Sequence, residues 1–245
     1  MKYLGRYKVA GLAAVSVLAL QGPAHALAIY VDQDATWRYI NASAATDVGA
    51  PAANWYAVGF DDSNWFSGAA PFTSNPGNPA STFGGDLANV NSPYGGPAPA
   101  IPGSGTLWSV PYDPYLRITF DLAAQTALTV WLAVDNGVNA MYLNGVQATG
   151  SVNAEGAGYR WEHVFDISAD YTFAGTNTFA LQLEDHGGAT AFALVISSDD
   201  TPQNPIFTDN DPPTQPEDPN GVPEPATLAL FGLGVAAALM RRRRA

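Results

Sequence analysis

Between residues 115 and 196, hydrophobic and polar positions alternate with a period of two, as in strands that bury one face. In residues 115–122, Leu116, Ile118 and Phe120 point one way, and Arg117, Thr119 and Asp121 the other. Residues 128–134 place Leu128, Val130, Leu132 and Val134 on one face, with Thr129 and Trp131 opposite. Phe179, Leu181 and Leu183 alternate with Thr178, Gln182 and Glu184, and Phe192, Leu194 and Ile196 repeat the pattern. Asn144-Gly145, between Met141-Tyr142-Leu143 and Val146, signals a two-residue hairpin whose central residues take positive φ. Gly, Pro, Asn and Asp clusters separate the runs, and no window shows helical periodicity. Many half-buried strands without a strand–helix–strand rhythm predict an all-β fold, a single antiparallel β-sandwich over residues 27–198.

Two stretches break the rhythm. Residues 73–111 are rich in Gly, Pro, Asn and Ser, with only isolated apolar residues. A loop of that length inside a domain is usually functional or mobile. Residues 199–221 run through Asp-Asn-Asp-Pro-Pro-Thr-Gln-Pro-Glu-Asp-Pro. They hold too little apolar surface to fold and are predicted to form an extended, disordered acidic tether.

Both ends of the chain are apolar, in different ways. Residues 1–26 read as a secretory signal peptide: Lys2, Arg6 and Lys8, then an apolar core from Val9 to Leu20, then Ala24-His25-Ala26 as a small-x-small cleavage site. The C-terminal segment, residues 222–245, has three parts in order. Val222-Pro223-Glu224-Pro225 comes first, then the apolar residues 226–240, then Arg241, Arg242, Arg243 and Arg244. A helix over the apolar part rises about 1.5 Å per residue and falls short of a hydrocarbon core roughly 30 Å thick. It can still sit in a membrane that thins around it, with the arginines held on the cytoplasmic side.

This tail resembles the PEP-CTERM sorting signal of exported bacterial proteins. The resemblance implies that Pro223-Glu224-Pro225 is the recognition motif of a membrane-embedded exosortase, which cuts near it and releases or re-anchors the protein. A plain tail anchor, with the prolines merely starting a helix, is the other reading. Together the two ends imply export by the general secretory route and transient anchoring in the inner membrane through residues 226–240. The destination is then the cell surface or extracellular matrix of a Gram-negative-type bacterium.

Charge narrows the function further. Seven of the ten basic residues and Glu224 lie in the two ends, leaving Arg38, Arg117 and Arg160 against 21 acidic residues, a formal charge of about −18. Such a body repels nucleic acid, which is excluded as a partner, and attracts divalent cations or basic partners. No cysteine is present, so neither disulfides nor thiol chemistry enter.

A second resemblance covers the body. Trp37-Arg38-Tyr39, Trp55, Phe60-Asp61-Asp62-Ser63-Asn64-Trp65 and Gly68-Ala69-Ala70-Pro71-Phe72 occur in that order. They are followed by the strand from Tyr115, Asp135-Asn136-Gly137, Tyr142 to Gly145, and residues 177–196. The succession resembles galactose-binding-like jelly-roll domains, with the long Gly/Pro-rich insertion as a departure. These domains often bind glycans and often hold a structural calcium. A possible structural calcium is therefore an expectation, with no ligands assigned, since no Asp-x-Asp-x-Asp-Gly loop occurs.

Each motif also has a plainer reading. Asp61-Asp62-Ser63 can cap a turn with Trp65 folded onto the core, Asp135-Asn136-Gly137 is a tight turn, and Arg117 and Arg160 can pair with carboxylates. His163 lies on a strand and His186 in a turn beside Glu184 and Asp185. No serine elbow, zinc motif or phosphate loop accompanies them, and no enzyme is expected. Aromatic residues in turn-rich segments suit sugar stacking, with Asp and Asn accepting from hydroxyls. Trp108 is the first candidate platform, with Trp55, Tyr56 and Tyr112 beside it in the candidate set. The expected function is thus a non-catalytic module binding extracellular polysaccharide in a biofilm matrix. The alternative is a structural or adhesive surface protein without a small ligand.

Overall fold

The alternating runs become strands because each has one apolar face to bury. The computed structural model describes residues 28–83, 102–148 and 163–198. Their strands are β1 (Ile29–Val31), β2 (Thr36–Ile40), β3 (Phe66–Ala69), β4 (Phe72–Thr73), β5 (Thr106–Leu107) and β6 (Tyr115–Leu122), followed by β7 (Leu128–Asp135), β8 (Gly137–Leu143), β9 (Val146–Gln147), β10 (His163–Ile167), β11 (Gly175–Glu184) and β12 (Ala191–Ser198). Two single-turn 3₁₀ segments, Pro79–Ser81 and Ala169–Tyr171, are the helical parts among the described residues. The expected signal peptide and tether, the sorting segment and Arg160 lie outside the described residues.

The front sheet has the order β3-β2-β6-β11-β8-β9, and the back sheet β10-β7-β12-β4-β5 with β1 also on β12. All pairs are antiparallel except β4 with β5. The molecule is an all-β sandwich, and its body is jelly-roll-like, as the resemblance implies. Between the sheets lie Trp37, Phe72, Leu116, Leu132, Met141, Leu143, Phe179, Leu181, Phe192 and Leu194, each with no exposed surface. Trp37 meets Phe192 edge-on, with ring centroids 5.5 Å apart at 81°.

The back sheet departs from simple alternation. Trp131, Ala133, Ala193 and Val195 face away from the main core and are buried too, in a second cluster with Phe83. Small outward residues on β7 and β12 let this face pack, so the run from Ala191 to Ile196 is apolar throughout.

A buried polar knot closes one end of the sandwich. Asn144 takes the left-handed φ of 52° expected in the hairpin, followed by Gly145 at 85°. Its amide nitrogen donates to the Tyr171 carbonyl at 2.9 Å and to Asn177 Oδ1 at 2.8 Å, while its Oδ1 accepts from the Thr178 N–H at 2.9 Å. Asn177 in turn grips both the N–H and the carbonyl of Phe173. These polar groups are satisfied, so burying them fixes the turn without an orphaned donor. On one flank the sheet edges touch. Thr106 Oγ1 donates to the Ala69 carbonyl at 2.7 Å, and a Cβ on Gly68 would lie 2.4 Å from Thr106 Oγ1. Only glycine fits at that approach.

Candidate functional site

The same alternation that sends Leu116 and Phe120 into the core sends Tyr115, Arg117 and Thr119 outward on β6. Register places Arg38 of β2 directly beside Arg117. Residues 52–65 lie across this outer face and build an aromatic layer on it. Trp55 meets Tyr115 at 5.0 Å and Tyr142 at 5.5 Å, both edge-on. Tyr56 lies flat on Tyr142, 4.1 Å away at 5°. Trp65 stacks at 6.4 Å on Trp55 and takes Phe60 edge-on at 5.8 Å.

Arg117 pins this layer to the sheet. Its side chain is 3% exposed, and its Nε donates to Asp62 Oδ2 at 2.8 Å. Its Nη1 donates to the carbonyls of Trp55 and Ala57, and the guanidinium lies over the Phe60 ring, 5.2 Å from the centroid. A buried guanidinium is tolerated only with partners of this kind. The adjacent carboxylates divide the work. The Ser63 hydroxyl, and then the Ser63 N–H that donates to Asp61 Oδ1 at 3.0 Å, hold the Asp61 carboxyl below the usual range, while Asp62 faces inward to Arg117. Under the layer the phenols are partly dry. Burial raises the pKa of Tyr115, with Asp113 adding to it and a bond from Gln182 opposing it. Burial likewise raises that of Tyr142, with Tyr56 and Tyr115 adding to it.

Beside the clasp opens a pocket of about 310 Å³. Thr36, Arg38, Asp62, Ser67, Arg117 and Thr119 supply its polar lining, with Trp37 and Ile118 behind them. Arg38 is exposed at its rim, with Nη1 3.5 Å from the Trp65 carbonyl. Among the described residues no carboxylate lies within ion-pair distance of Arg38. Chemically the pocket offers a guanidinium fork, three hydroxyls and a carboxylate next to aromatic rings. It suits a small, hydroxyl-bearing ligand, and its volume is near the low end of ligand pockets, roughly 300–1,000 Å³.

The structure separates the four aromatic candidates into two pairs. Trp55 and Tyr56 belong to the layer on the front sheet. Trp55 is 7% exposed and Tyr56 has one ring face on Tyr142, so both support the layer more than they present a platform. Trp108 corrects the expectation outright. It has no exposed surface, its Nε1 donates to the Tyr112 carbonyl at 2.6 Å, and its own carbonyl accepts from Thr190 Oγ1. A stacking platform needs a ring face in water, which Trp108 lacks. Tyr112 is half-buried against the core beside it. Trp65 also differs from expectation: it is half-buried in the outer layer and not in the core. Arg38, Thr36, Ser67 and Thr119 were missed. The available signal was the scarcity of arginine, with two of three placed in outward positions of strand-like runs.

Other candidates resolve simply. Among the described residues no group of three or more His, Asp or Glu side chains is placed to hold a metal. His186 Nε2 lies 3.0 Å from Glu184 Oε1 in the turn between β11 and β12. His163 begins β10, stacked on Phe165 at 6.1 Å, and burial lowers its pKa.

Fold and site together define a β-sandwich with an arginine-lined pocket on one face. Residues 221–244 match the model of the PEP-CTERM protein-sorting motif, which makes the protein an exosortase-sorted, exported surface protein that transits the membrane. No curated protein matches the chain. Among solved structures it is similar to an anti-sigma factor domain-containing protein, with 16% identity, a TM-score of 0.32, and coverage of 77% of this chain and 49% of that one. It is similar as well to an anti-sigma factor domain-containing protein from Clostridium clariflavum, with 14% identity, a TM-score of 0.32, and coverage of 79% and 49%. The chain spans about half the length of these relatives, and a likeness at this level says nothing about what it binds.

Proposed function

We propose that the sandwich is a non-catalytic module that holds polysaccharide of the producer's own matrix at the cell surface of a Gram-negative-type bacterium, after signal-peptide cleavage and exosortase processing. The pocket beside the Arg117 clasp carries this reading, because its hydroxyls, carboxylate and guanidinium stand next to an aromatic layer on an otherwise acidic surface. Sugars are bound by such mixtures: ring faces cover C–H groups, and paired polar groups exchange bonds with hydroxyls. A site this small, with wet hydrogen bonds, gives affinities in the micromolar to millimolar range. Retention in a matrix then comes from many copies acting together.

Affinity electrophoresis of the exported protein through gels containing purified matrix polysaccharide tests this. Retardation that weakens in a Trp65→Ala variant is expected. Equal mobility with and without polysaccharide supports the structural or adhesive reading instead.

A further inference from the structure

We infer that the pocket selects an acidic sugar, a uronate-type residue whose carboxylate is taken by Arg38. This deepens the polysaccharide reading and rests on it. Arg38 and Arg117 are register partners on neighbouring strands, and like charges placed opposite one another repel unless neutralised. Asp62 neutralises Arg117, with its Oδ2 committed to that pair. The sequence neighbours Asp61 and Asp121 are turned to Ser63 and to Thr176, whose Oγ1 donates to Asp121 at 2.6 Å. The pocket thus sets two guanidiniums against one carboxylate and carries one uncompensated positive charge, while residues 27–221 as a whole have a formal charge of about −18.

A neutral sugar seated there offers the Arg38 guanidinium only hydroxyl oxygens, which are weaker acceptors than a charged group and leave its charge uncompensated. A carboxylate returns the lost solvation as charge-assisted, bidentate hydrogen bonds, which a planar guanidinium is shaped to make. One negative charge matches the single excess positive one, which favours a carboxylate over a phosphate monoester carrying nearly two. Thr36, Ser67 and Thr119 are then placed for the ring hydroxyls, and Asp62 Oδ1 remains as an acceptor. Among the described residues Arg38 and Arg117 are the only basic side chains besides histidine, so the described surface away from this pocket repels polyanions.

The test uses the exported protein in gels containing matrix polysaccharide, either native or with its uronic carboxyls chemically reduced to primary alcohols. Both are run with and without EDTA, and the preference is read in EDTA so that no calcium bridges protein and polymer. Wild type is expected to bind the native polymer about tenfold or more tightly than the reduced one, the scale of a lost charge-assisted pair. Arg38→Gln is expected to abolish that preference without moving the unfolding midpoint, and Arg38→Lys to retain part of it. Equal retardation on both polymers, or an Arg38→Gln variant that still prefers the native one, overturns the acidic-sugar inference and leaves the polysaccharide reading standing. Retardation lost in EDTA also overturns it. No retardation on either polymer, with or without EDTA, removes both.

Discussion

Trp65 and Trp108 stand in similar sequence, each next to a short strand among small and polar residues, and they finish on opposite sides of a sheet. Trp108 follows β5, whose parallel pairing with β4 continues through the Trp108 N–H to the Thr73 carbonyl at 2.9 Å. The backbone is thereby drawn across the mouth of the sandwich and the indole goes into the core. Trp65 ends the turn started by Asp62, whose carbonyl accepts its N–H at 2.9 Å, and lies on the outer layer before edge strand β3. What separates them is the pairing of the neighbouring strand. Local composition looks the same in both places, so it does not tell a buried ring from a wet one.

The comparison can be broken by substitution. Trp108→Ala should cost the most, about 3–5 kcal/mol, as for other fully buried large aromatics, read as a drop in the denaturant midpoint. Arg117→Met should follow at about 3 kcal/mol, because Asp62 and two carbonyls lose their donor at once. That is the low end for a broken buried pair, since Asp62 keeps 24% of its side chain in water. Trp65→Ala should cost about 1 kcal/mol, an ordinary value for a half-buried ring, while weakening retention by polysaccharide. A Trp65→Ala cost equal to that of Trp108→Ala would erase the distinction between layer and core.

The smallest effect is on pH dependence. Burial holds the His163 pKa below 6.5, so the unfolded chain takes the proton more readily than the fold does. The stability from the neutral imidazole is complete above the unfolded value and is lost as pH falls through the lower, folded one. Thermal unfolding between pH 7.5 and 5 should show this decline, and His163→Gln should flatten it.

How much was legible follows from the range of the interactions. β6, β7, β11 and β12 are long and repeat a large apolar residue at every second position, so Leu116, Val130, Leu181 and Leu194 could be assigned to the core from spacing alone. Asn144-Gly145 and Asp61-Asp62-Ser63 are local turns, and their backbone chemistry is written in adjacent residues. Strands of two to four residues, such as β3, β4 and β5, are too short to show a period, and they decide where Trp65 and Trp108 go. The candidate site was legible only in part for the same reason. Trp55 and Tyr56 were found as turn-borne aromatics, but the juxtaposition of Arg38 with Arg117 arises from pairing between β2 and β6, far apart in sequence. The outward burial of Trp131 depends on packing that alternation cannot foresee.

Side-chain N–H resonances report most directly on whether the front face is where polysaccharide binds. The body has three arginines and six tryptophans, so the guanidinium Nε–H and indole Nε1–H signals are few and resolvable in a two-dimensional nitrogen–proton spectrum of the secreted protein at mildly acidic pH. On titration with matrix oligosaccharide, the Arg38 Nε–H and the Trp65 indole signals should shift together and saturably, while the Trp108 indole stays in place. Shifts at Trp108 with Arg38 unmoved would contradict the assignment of the site to the front sheet.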